Sequence, residues 1–331
     1  MPVCRANRRA FIAGLGSAAA WPVVARGQQP GKIIRIGLLG PSLNNPLAVG
    51  TYEGFRARLR TLGFIEGQQI ALDYRNVDDS RGPFVAADEL MQSHPDLIVA
   101  LGPEVALRAV VSPSHALPIV IVAVNFDPIA RGYVKSLAKP GGNITGVVYQ
   151  QLELAQKQVE LLTQAFPNNT RLDVLFNALS ADQFSAAERV SNSLGMQVLA
   201  QKLDNPPYDF EGAFTNMAAS GAQMVLVLSS PYFLPHASRI SEMGIAQRLP
   251  TMFIQRYYVE AGGLMSYGVD FFHGYVKSAD CVAKILKGAN PAELPIEQAE
   301  KFDFVVNLKT AKAIGITIPT GILIRADGVI E

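Results

Sequence analysis

The chain has 331 residues, which is long for one average domain and fits two α/β lobes. Hydrophobic residues make up 49% of the chain and charged residues only 17%, so the composition favours large buried cores and argues against disorder. The formal net charge is +1 and no basic stripe is present, so we predict that nucleic acid is not a partner.

The N-terminal segment has the features of an export signal. Three arginines between residues 5 and 9 precede an apolar stretch at 11–25, which is shorter than the roughly twenty residues that span a bilayer. Small residues at Ala25 and Gly27 predict cleavage after Gly27, with a cut after Ala25 as the alternative. The run 7–12 resembles a twin-arginine signal, and an ordinary Sec signal is the alternative. We therefore predict a signal peptide at 1–27 and a mature protein in the periplasm. We expect no lipid anchor at the new N-terminus, because no cysteine directly follows the apolar stretch.

Short apolar runs alternate with longer amphipathic stretches from residue 33 onward. The first run, at 33–39, is continuous and rich in β-branched residues, as expected for a strand buried on both faces. The alternation predicts strands at 33–39, 70–76, 96–101, 119–124 and 144–148, with helices at 47–62, 83–93, 104–111 and 129–137. It restarts with helices at 152–165, 181–194, 210–219 and 238–244 and strands at 173–176, 196–200, 223–228 and 251–254. A strand at 264–267, a helix at 274–286 and a strand at 302–306 complete the pattern.

Strand–helix alternation with short loops predicts an α/β fold of two Rossmann-like lobes, each a parallel sheet covered by helices. We assign 33–148 plus about 262–295 to the first lobe and 149–261 plus about 296–331 to the second. Because the chain would then cross between the lobes several times, we expect a hinge made of several segments. A ligand is expected in the cleft at the carboxyl ends of the strands.

The residues that carry catalytic or metal chemistry are scarce. Cys4 falls in the predicted signal, which leaves Cys281 alone, and the four histidines lie far apart, so we expect no disulfide, no metal site and no cofactor. The chain has no nucleophile elbow, no His-Glu-x-x-His, no Walker lysine and no dinucleotide-binding glycine motif, so we predict that it is not an enzyme. A catalytic set assembled from distant residues stays an alternative.

Several phrases, read in order, resemble the ABC-transporter substrate-binding family that includes tryptophan- and tyrosine-type binding proteins. They are IGLL at 36–39, LGFIEG at 62–67, Asp127-Pro128, LAKPGGNITG at 137–146, AGGLMSYG at 261–268 and NLKTAK at 307–312. The resemblance runs collinearly over about residues 33 to 331. It implies a type I periplasmic binding fold and a partner permease with its ATPase. One departure is Asn125-Phe126, where many relatives have Gly before the Asp-Pro pair; it lies at the expected cleft and points to a different ligand.

The loops after the first-lobe strands supply the first candidate ligand contacts. Ser42 and Asn44 offer a hydroxyl and an amide at the start of a helix, and the alternative is a turn with a helix N-cap. Gly102 lets backbone approach a ligand or simply starts the next helix. Asn125, Phe126 and Asp127 combine an amide, a ring and a carboxylate; for Asp127 we favour an N-cap role.

Second-lobe loops supply the other candidates, which are Tyr149, Ser229, Tyr232, Arg256, Tyr257, Tyr267 and Asp270. Aromatic walls with few polar anchors suit a planar organic ligand, and Arg256 could clamp a carboxylate; the alternative for each tyrosine is packing between lobes. We predict a monomeric solute-binding protein that closes by hinge motion on a small amino-acid-like or aromatic molecule. A periplasmic sensing subunit that docks on a receptor kinase is the alternative, since fold alone does not separate transport from sensing.

Overall fold

The computed structural model describes residues 32–44, 46–77, 82–111, 116–149, 151–298 and 301–331. The predicted signal peptide at 1–27, with its cleavage site, lies outside these residues. Within the described ranges, no helix combines the length and the apolar character that a bilayer crossing needs. Residues 33–331 group into one unit, and the fold below refers to that unit.

The strands and helices alternate along the chain as the hydrophobic pattern predicts. The strands are β1 Ile34–Gly40, β2 Ile70–Asn76, β3 Leu97–Gly102, β4 Ile119–Ala123, β5 Ile144–Val148, β6 Arg171–Phe176, β7 Gln197–Lys202, β8 Met224–Val227, β9 Thr251–Phe253, β10 Met265–Val269, β11 Glu297–Gln298, β12 Phe302–Asn307 and β13 Gly328–Ile330. The α-helices are α1 Pro46–Thr61, α2 Pro83–Gln92, α3 Glu104–Val110, α4 Gln151–Ala165, α5 Ala181–Ser193, α6 Phe210–Ala219, α7 Ala237–Ala246, α8 Arg256–Glu260, α9 Phe271–Leu286, α10 Leu308–Ile314 and α11 Thr320–Leu323.

The first lobe is built on a six-stranded sheet in the order β11-β5-β4-β3-β1-β2, with every pairing parallel. Each residue of β3 and β4 is buried because both faces of the sheet are covered. Along β3, Leu97, Val99 and Leu101 pack towards α1 and α9, while Ile98 and Ala100 pack towards α2 and α3. A continuous apolar run is therefore what a central strand of this sheet requires.

The second lobe is built on a seven-stranded sheet in the order β13-β12-β10-β9-β8-β6-β7. Its pairings are parallel except that of β10 with β12, which is antiparallel. Helices α4, α5 and α11 cover one face, and α6, α7 and α8 cover the other. The expected α/β architecture of two helix-covered sheets is confirmed, with this one antiparallel pair added.

The chain passes between the two sheets three times, after β5, after β10 and after β11. Two of these crossings differ from the expected boundaries. Residues 265–269, expected in the first lobe, form β10 of the second sheet, where Met265 pairs with Met252 in a buried register. The return to the first lobe begins at Phe271, and β11, expected in the second lobe, pairs with β5 of the first sheet.

The predicted helix at 129–137 is wrong, since this segment forms turns. Asp127 Oδ1 accepts hydrogen bonds from the backbone N–H groups of Ile129 and Ala130, and Gly132 then takes the left-handed conformation with φ 77°. A left-handed residue ends a helical turn. The pattern also missed the short elements α8, α10, α11, β11 and β13, whose lengths of two to seven residues are too small for a periodicity signal.

Candidate functional site

A cleft lies where the carboxyl ends of the strands of both lobes face each other. It encloses about 840 Å³, open solvent at its mouth included. The first lobe contributes Pro41, Ser42, Asn44, Leu47, Ala48, Thr51, Tyr74, Gly102, Pro103, Val124, Phe271 and Tyr275. The second lobe contributes Ser229, Ser230, Pro231, Leu234, Pro235, Ile254, Gln255 and Tyr258. This is the place where parallel α/β lobes bring loops and helix starts together.

Aromatic rings form much of the cleft wall, and neighbouring rings hold them in place. Tyr74 meets Tyr52 edge-on at 5.1 Å between ring centroids, and its hydroxyl donates to the Pro41 carbonyl at 2.7 Å. Tyr258 stacks on Phe253 at 4.7 Å with the two planes 10° apart. Burial raises the pKa of Tyr258 far above its ordinary value, so its phenol is neutral at physiological pH. Flat faces held by packing suit a planar ligand.

The polar side chains of the cleft are hydroxyls and two amides, those of Asn44 and Gln255. Thr51 Oγ1 donates to the Ala48 carbonyl at 2.9 Å, and Ser230 Oγ accepts from Asn177 Nδ2 at 2.8 Å. Gln255 precedes α8, but its side chain makes no capping hydrogen bond. Its Oε1 is buried and has no hydrogen-bond partner within the described residues. A buried acceptor without a donor is costly, which makes it a natural contact for a ligand N–H or O–H group.

Beside the cleft, four polar side chains join the two lobes in what we call the amide bridge: Asn125, Gln151, Gln183 and Ser229. Asn125 of the first lobe donates from Nδ2 to the Ser229 carbonyl at 3.0 Å and accepts from Gln183 Nε2 at 2.9 Å. Gln183 Nε2 also donates to Gln151 Oε1 at 2.9 Å. Asn125 sits at φ 66°, a left-handed conformation that asparagine tolerates better than most residues. These bonds hold the lobes together on this side.

The structure brings four of the predicted site residues to the cleft and places three other first-lobe candidates away from it. Ser42, Asn44, Gly102 and Ser229 line it. Asn125, Phe126 and Asp127 line a neighbouring pocket together with Tyr149, Gln151 and Gln183. Phe126 is buried against Tyr133, with 6.1 Å between ring centroids. Asp127 caps the following turn, which is the role that the sequence analysis favoured for it.

Most of the second-lobe candidates are engaged in contacts outside the cleft. Tyr149 is buried in the first-lobe core, and its hydroxyl donates to the Phe271 carbonyl at 3.3 Å. Tyr267 stacks on Phe302 at 6.0 Å, and the Tyr232 N–H donates to Ser230 Oγ at 3.2 Å. Neither tyrosine lines the cleft.

A second pocket at the rim of the cleft is lined by Arg256, Tyr257 and Asp270. The Arg256 guanidinium binds Asp303 with two hydrogen bonds, from Nε at 2.7 Å and from Nη2 at 3.0 Å. From the sequence, Arg256 was a candidate to bind a carboxylate of the ligand. In the structure, the carboxylate that it binds is that of Asp303. Asp270 caps α9 through the His273 N–H at 3.1 Å and pairs with Lys301 at 3.0 Å.

Sequence reasoning missed four residues that shape the cleft: Thr51, Tyr74, Gln255 and Tyr275. Gln255 had a usable signal, because it directly follows the predicted strand at 251–254, whereas the candidates chosen from that loop began one residue later, at Arg256. Tyr74 lies inside a strand and Thr51 and Tyr275 lie inside helices, where a residue that faces the cleft has the same pattern as one that faces a core.

Comparison with known proteins gives consistent similarities. The family model described as ABC transporter substrate binding protein matches residues 41–330. A tyrosine-binding protein of Clostridioides difficile (strain R20291) is 22% identical over 267 residues, covering 79% of this chain and 75% of that protein. A Streptococcus pneumoniae structure, described as an ABC domain in complex with L-Trp, superposes with a TM-score of 0.80 at 27% identity, covering 90% of this chain and all of that one. A conserved domain protein of Vibrio cholerae O1 biovar El Tor superposes with a TM-score of 0.82 at 25% identity over the same shares.

Proposed function

The chain belongs to the ABC transporter substrate-binding protein family, and from this premise we propose that it is the periplasmic solute-binding subunit of an ABC importer. The observation that carries the proposal is the cleft itself, which is lined by strand ends and helix starts from both lobes and walled by aromatic rings. We propose that it captures a small organic molecule, amino-acid-like or aromatic. The export features of residues 1–27 support a periplasmic site of action.

Capture in such a cleft needs the lobes to move, and the contacts between them support hinge closure. Three chain crossings connect the sheets, and the amide bridge joins Asn125 to Gln183 and Ser229 across the gap. A few hydrogen bonds of this kind contribute about 1 kcal/mol each, so they can be made and broken as the lobes close and open. We propose that the ligand and this bridge together stabilise the closed form.

The ligand contacts that we propose combine predicted and unpredicted residues. Ser42, Gly102 and Ser229 come from the strand-end prediction and line the cleft from both sides. Tyr258 and Gln255 add a ring face and a buried acceptor from the second lobe. Asn125 and Phe126 act beside the cleft, through the amide bridge and the packing of the following turn.

The first experiment measures ligand binding to the mature protein, beginning at Gln28. A thermal-shift screen over aromatic acids, amino acids, nucleosides, sugars and peptides should raise the unfolding midpoint with one chemical class, by mass action on the folded state. Small-angle scattering with that ligand should show a smaller radius of gyration, because the lobes close. No response in folded, ligand-free protein would contradict solute capture.

A matched pair of variants locates the binding in the cleft. Ala48→Phe puts a ring into the cleft from α1, while Val49→Phe introduces the same ring one residue later, where the side chain is 43% exposed. We expect Ala48→Phe to abolish binding and Val49→Phe to retain it. The importer role is tested with the cognate permease and ATPase in proteoliposomes, where the liganded protein should stimulate ATP hydrolysis and uptake. Binding without stimulation would contradict transport and favour sensing.

A further inference from the structure

We infer that the cleft takes an uncharged aromatic molecule with a hydrogen-bond donor, not a free aromatic amino acid. This inference rests on the proposed function and narrows its ligand class. At neutral pH, L-tyrosine and L-tryptophan each carry an ammonium and a carboxylate group. A site that buries either charge needs a partner of opposite sign or a set of dedicated hydrogen bonds.

The walls of the cleft supply no side chain of opposite charge. Among the described residues that line it, none is an aspartate, glutamate, lysine, arginine or histidine. The lining consists of aliphatic side chains, prolines, aromatic rings, hydroxyls and two amides. An ammonium group placed here would lose its hydration without gaining a carboxylate. The cost of an uncompensated buried charge is several kcal/mol, which is comparable to the whole binding free energy of a small ligand.

Charged side chains do lie near the mouth, and four of them form two ion pairs with each other. The rim pocket that shares Leu47, Gln255 and Phe271 with the cleft contains the Arg256–Asp303 pair, whose Nε–Oδ2 distance is 2.7 Å. In the same pocket Lys301 holds Asp270 at 3.0 Å, and Asp327 Oδ2 accepts the Phe304 N–H at 2.8 Å. A ligand charge reaching this rim would have to compete with partners already in place.

What the cleft does offer is an acceptor and neutral rings. Gln255 lines the cleft, and its Oε1 is buried and has no donor within the described residues. A phenol O–H or an indole N–H would satisfy it without bringing a charge. Tyr258 and Tyr275 are both buried with pKa values raised far above the ordinary one, so their hydroxyls stay neutral. Ring-to-ring packing and one hydrogen bond are the chemistry that this surface fits.

The test is a set of four ligands that share one ring and differ in which ionised groups they carry. L-Tyrosine carries both groups, tyramine only the ammonium, 3-(4-hydroxyphenyl)propionate only the carboxylate, and 4-ethylphenol neither. Calorimetric titration of ligand-free mature protein is repeated with L-tryptophan, tryptamine, indole-3-propionate and 3-ethylindole. We expect the neutral member of at least one set to bind roughly tenfold or more tighter than each charged member, which corresponds to about 1.4 kcal/mol.

The outcomes separate this inference from the proposed function. Tighter binding of a free amino acid, an amine or an acid than of its neutral analogue would overturn the inference and leave solute capture intact. An absence of binding by all eight compounds would overturn the inference and also the proposed aromatic ligand. Saturable binding that favours the neutral compound supports both.

A charge placed at Gln255 provides an independent check. Gln255→Glu puts a carboxylate where the amide oxygen lies. The carboxylate still accepts from a phenol O–H and adds a negative charge that favours an ammonium, so we expect the affinity of tyramine relative to that of 4-ethylphenol to rise roughly tenfold. Gln197→Glu adds the same charge on the exposed strand β7 and should leave the ratio unchanged. Gln255→Met, which removes the acceptor without adding charge, should weaken the phenol. An unchanged ratio in Gln255→Glu, with phenol binding also unchanged in Gln255→Met, would overturn the role of Gln255.

Discussion

The two lobes share one layer order but differ in how their buried polar groups are satisfied. In the first lobe Thr51 donates to the Ala48 carbonyl, and Thr145 Oγ1 donates to the Leu294 carbonyl at 2.9 Å. Among the described residues, every buried side-chain polar atom without a partner belongs to the second lobe. These atoms are Asp173 Oδ2, Ser191 Oγ, Gln255 Oε1 and Ser266 Oγ.

The difference separates a structural role from a binding role. Asp173, Ser191 and Ser266 are fully buried inside the second lobe, away from any opening. Only Gln255 lines the cleft. Unsatisfied groups in an interior lower stability, whereas one at the cleft wall can be satisfied by a ligand. The buried side-chain polar atoms of the first lobe thus have partners within the described residues, whereas we propose that Gln255 of the second lobe finds its partner in a ligand.

The largest expected effect is a loss of stability on substituting one glycine in each lobe. At both positions the neighbouring backbone passes too closely for a side chain. A Cβ on Gly146 of the first lobe would lie 2.0 Å from the Ile121 carbonyl oxygen, and Gly146 also has φ 142°. A Cβ on Gly268 of the second lobe would lie 1.8 Å from the Ile254 carbonyl oxygen. We expect each alanine substitution to lower the free energy of unfolding by ~3 kcal/mol or more, measured by urea denaturation.

The two glycine variants should differ in ligand binding. Ile254 lines the cleft and precedes Gln255, so Gly268→Ala should also weaken ligand affinity, while Gly146→Ala should spare it in the protein that remains folded. Gly50→Ala is the control, since a Cβ there meets no atom within 4 Å and replaces glycine inside α1. It should raise stability by up to ~1 kcal/mol. A loss below 1 kcal/mol for Gly146→Ala would contradict the tight strand contact.

The next largest effect is expected on ligand affinity, and two buried glutamines of the second lobe test it. Gln183 bonds across the lobes to Asn125, while Gln158 bonds within its own lobe to the Tyr267 carbonyl at 2.7 Å. Gln183→Leu should leave Asn125 Oδ1 and Gln151 Oε1 without their donor in the closed form. We expect ligand affinity to fall roughly 3- to 30-fold, or ~1 to 2 kcal/mol, and the radius of gyration of the unliganded protein to rise.

Gln158→Leu is the matched control for closure. It removes a hydrogen bond of similar burial but no contact between lobes, so it should lower the unfolding midpoint and leave the radius of gyration unchanged. Equal affinity losses in both variants would show that the amide bridge has no special part in closure.

The sequence predicted the fold better than the site, and particular elements show why. Strands β3 and β4 are buried on both faces, so their apolar runs are unbroken and easily read. The helix predicted at 129–137 failed because one left-handed glycine, Gly132, and the cap at Asp127 outweigh its periodicity. The local sequence pattern does not contain the contacts that decide whether such a segment forms a helix or turns.

At the site, the strand-end rule found residues whose position follows from topology alone. Ser42, Gly102 and Ser229 lie at strand ends and line the cleft, and their contact with a ligand stays a prediction. Arg256 satisfied the same rule, but its partner Asp303 lies 47 positions away on an antiparallel neighbour of β10, which no local pattern indicates. Tyr275 lines the cleft from the second turn of α9, because α9 returns to the first lobe after β10.

A smaller effect tests the buried acid of the second lobe. Asp173 is fully buried in β6, and burial raises its pKa, opposed by a hydrogen bond from Gln201. A carboxyl whose pKa is higher in the folded than in the unfolded state binds more protons when folded. Its contribution to stability therefore falls as pH rises from the unfolded pKa, near 3.9, through the raised folded pKa.

Asp173→Asn removes this titration. The free energy of unfolding of Asp173→Asn minus that of the unsubstituted protein should increase between pH 4 and pH 7, by up to ~1 kcal/mol. Asp88→Asn, which removes an exposed carboxyl from α2 of the first lobe, controls for the loss of one negative charge. A difference for Asp173→Asn that stays constant across this pH range would contradict the raised pKa.

The smallest expected effect concerns the rim of the second lobe and decides whether Arg256 belongs to the structure or to the ligand. Arg256 and Asp303 form a two-point ion pair, with their side chains 42% and 25% exposed. Exposed pairs of this kind contribute about 0–1 kcal/mol, because water and salt screen them. Arg256→Gln, Asp303→Asn and the double variant form a cycle whose coupling energy should fall in that range. Ligand affinity should change less than about twofold in all three. If Arg256→Gln alone weakened binding tenfold while Asp303→Asn strengthened it, Arg256 would be a ligand contact for which Asp303 and the ligand compete. The distinction between a cleft without charged side chains and a rim whose charges pair with each other would then be wrong at Arg256.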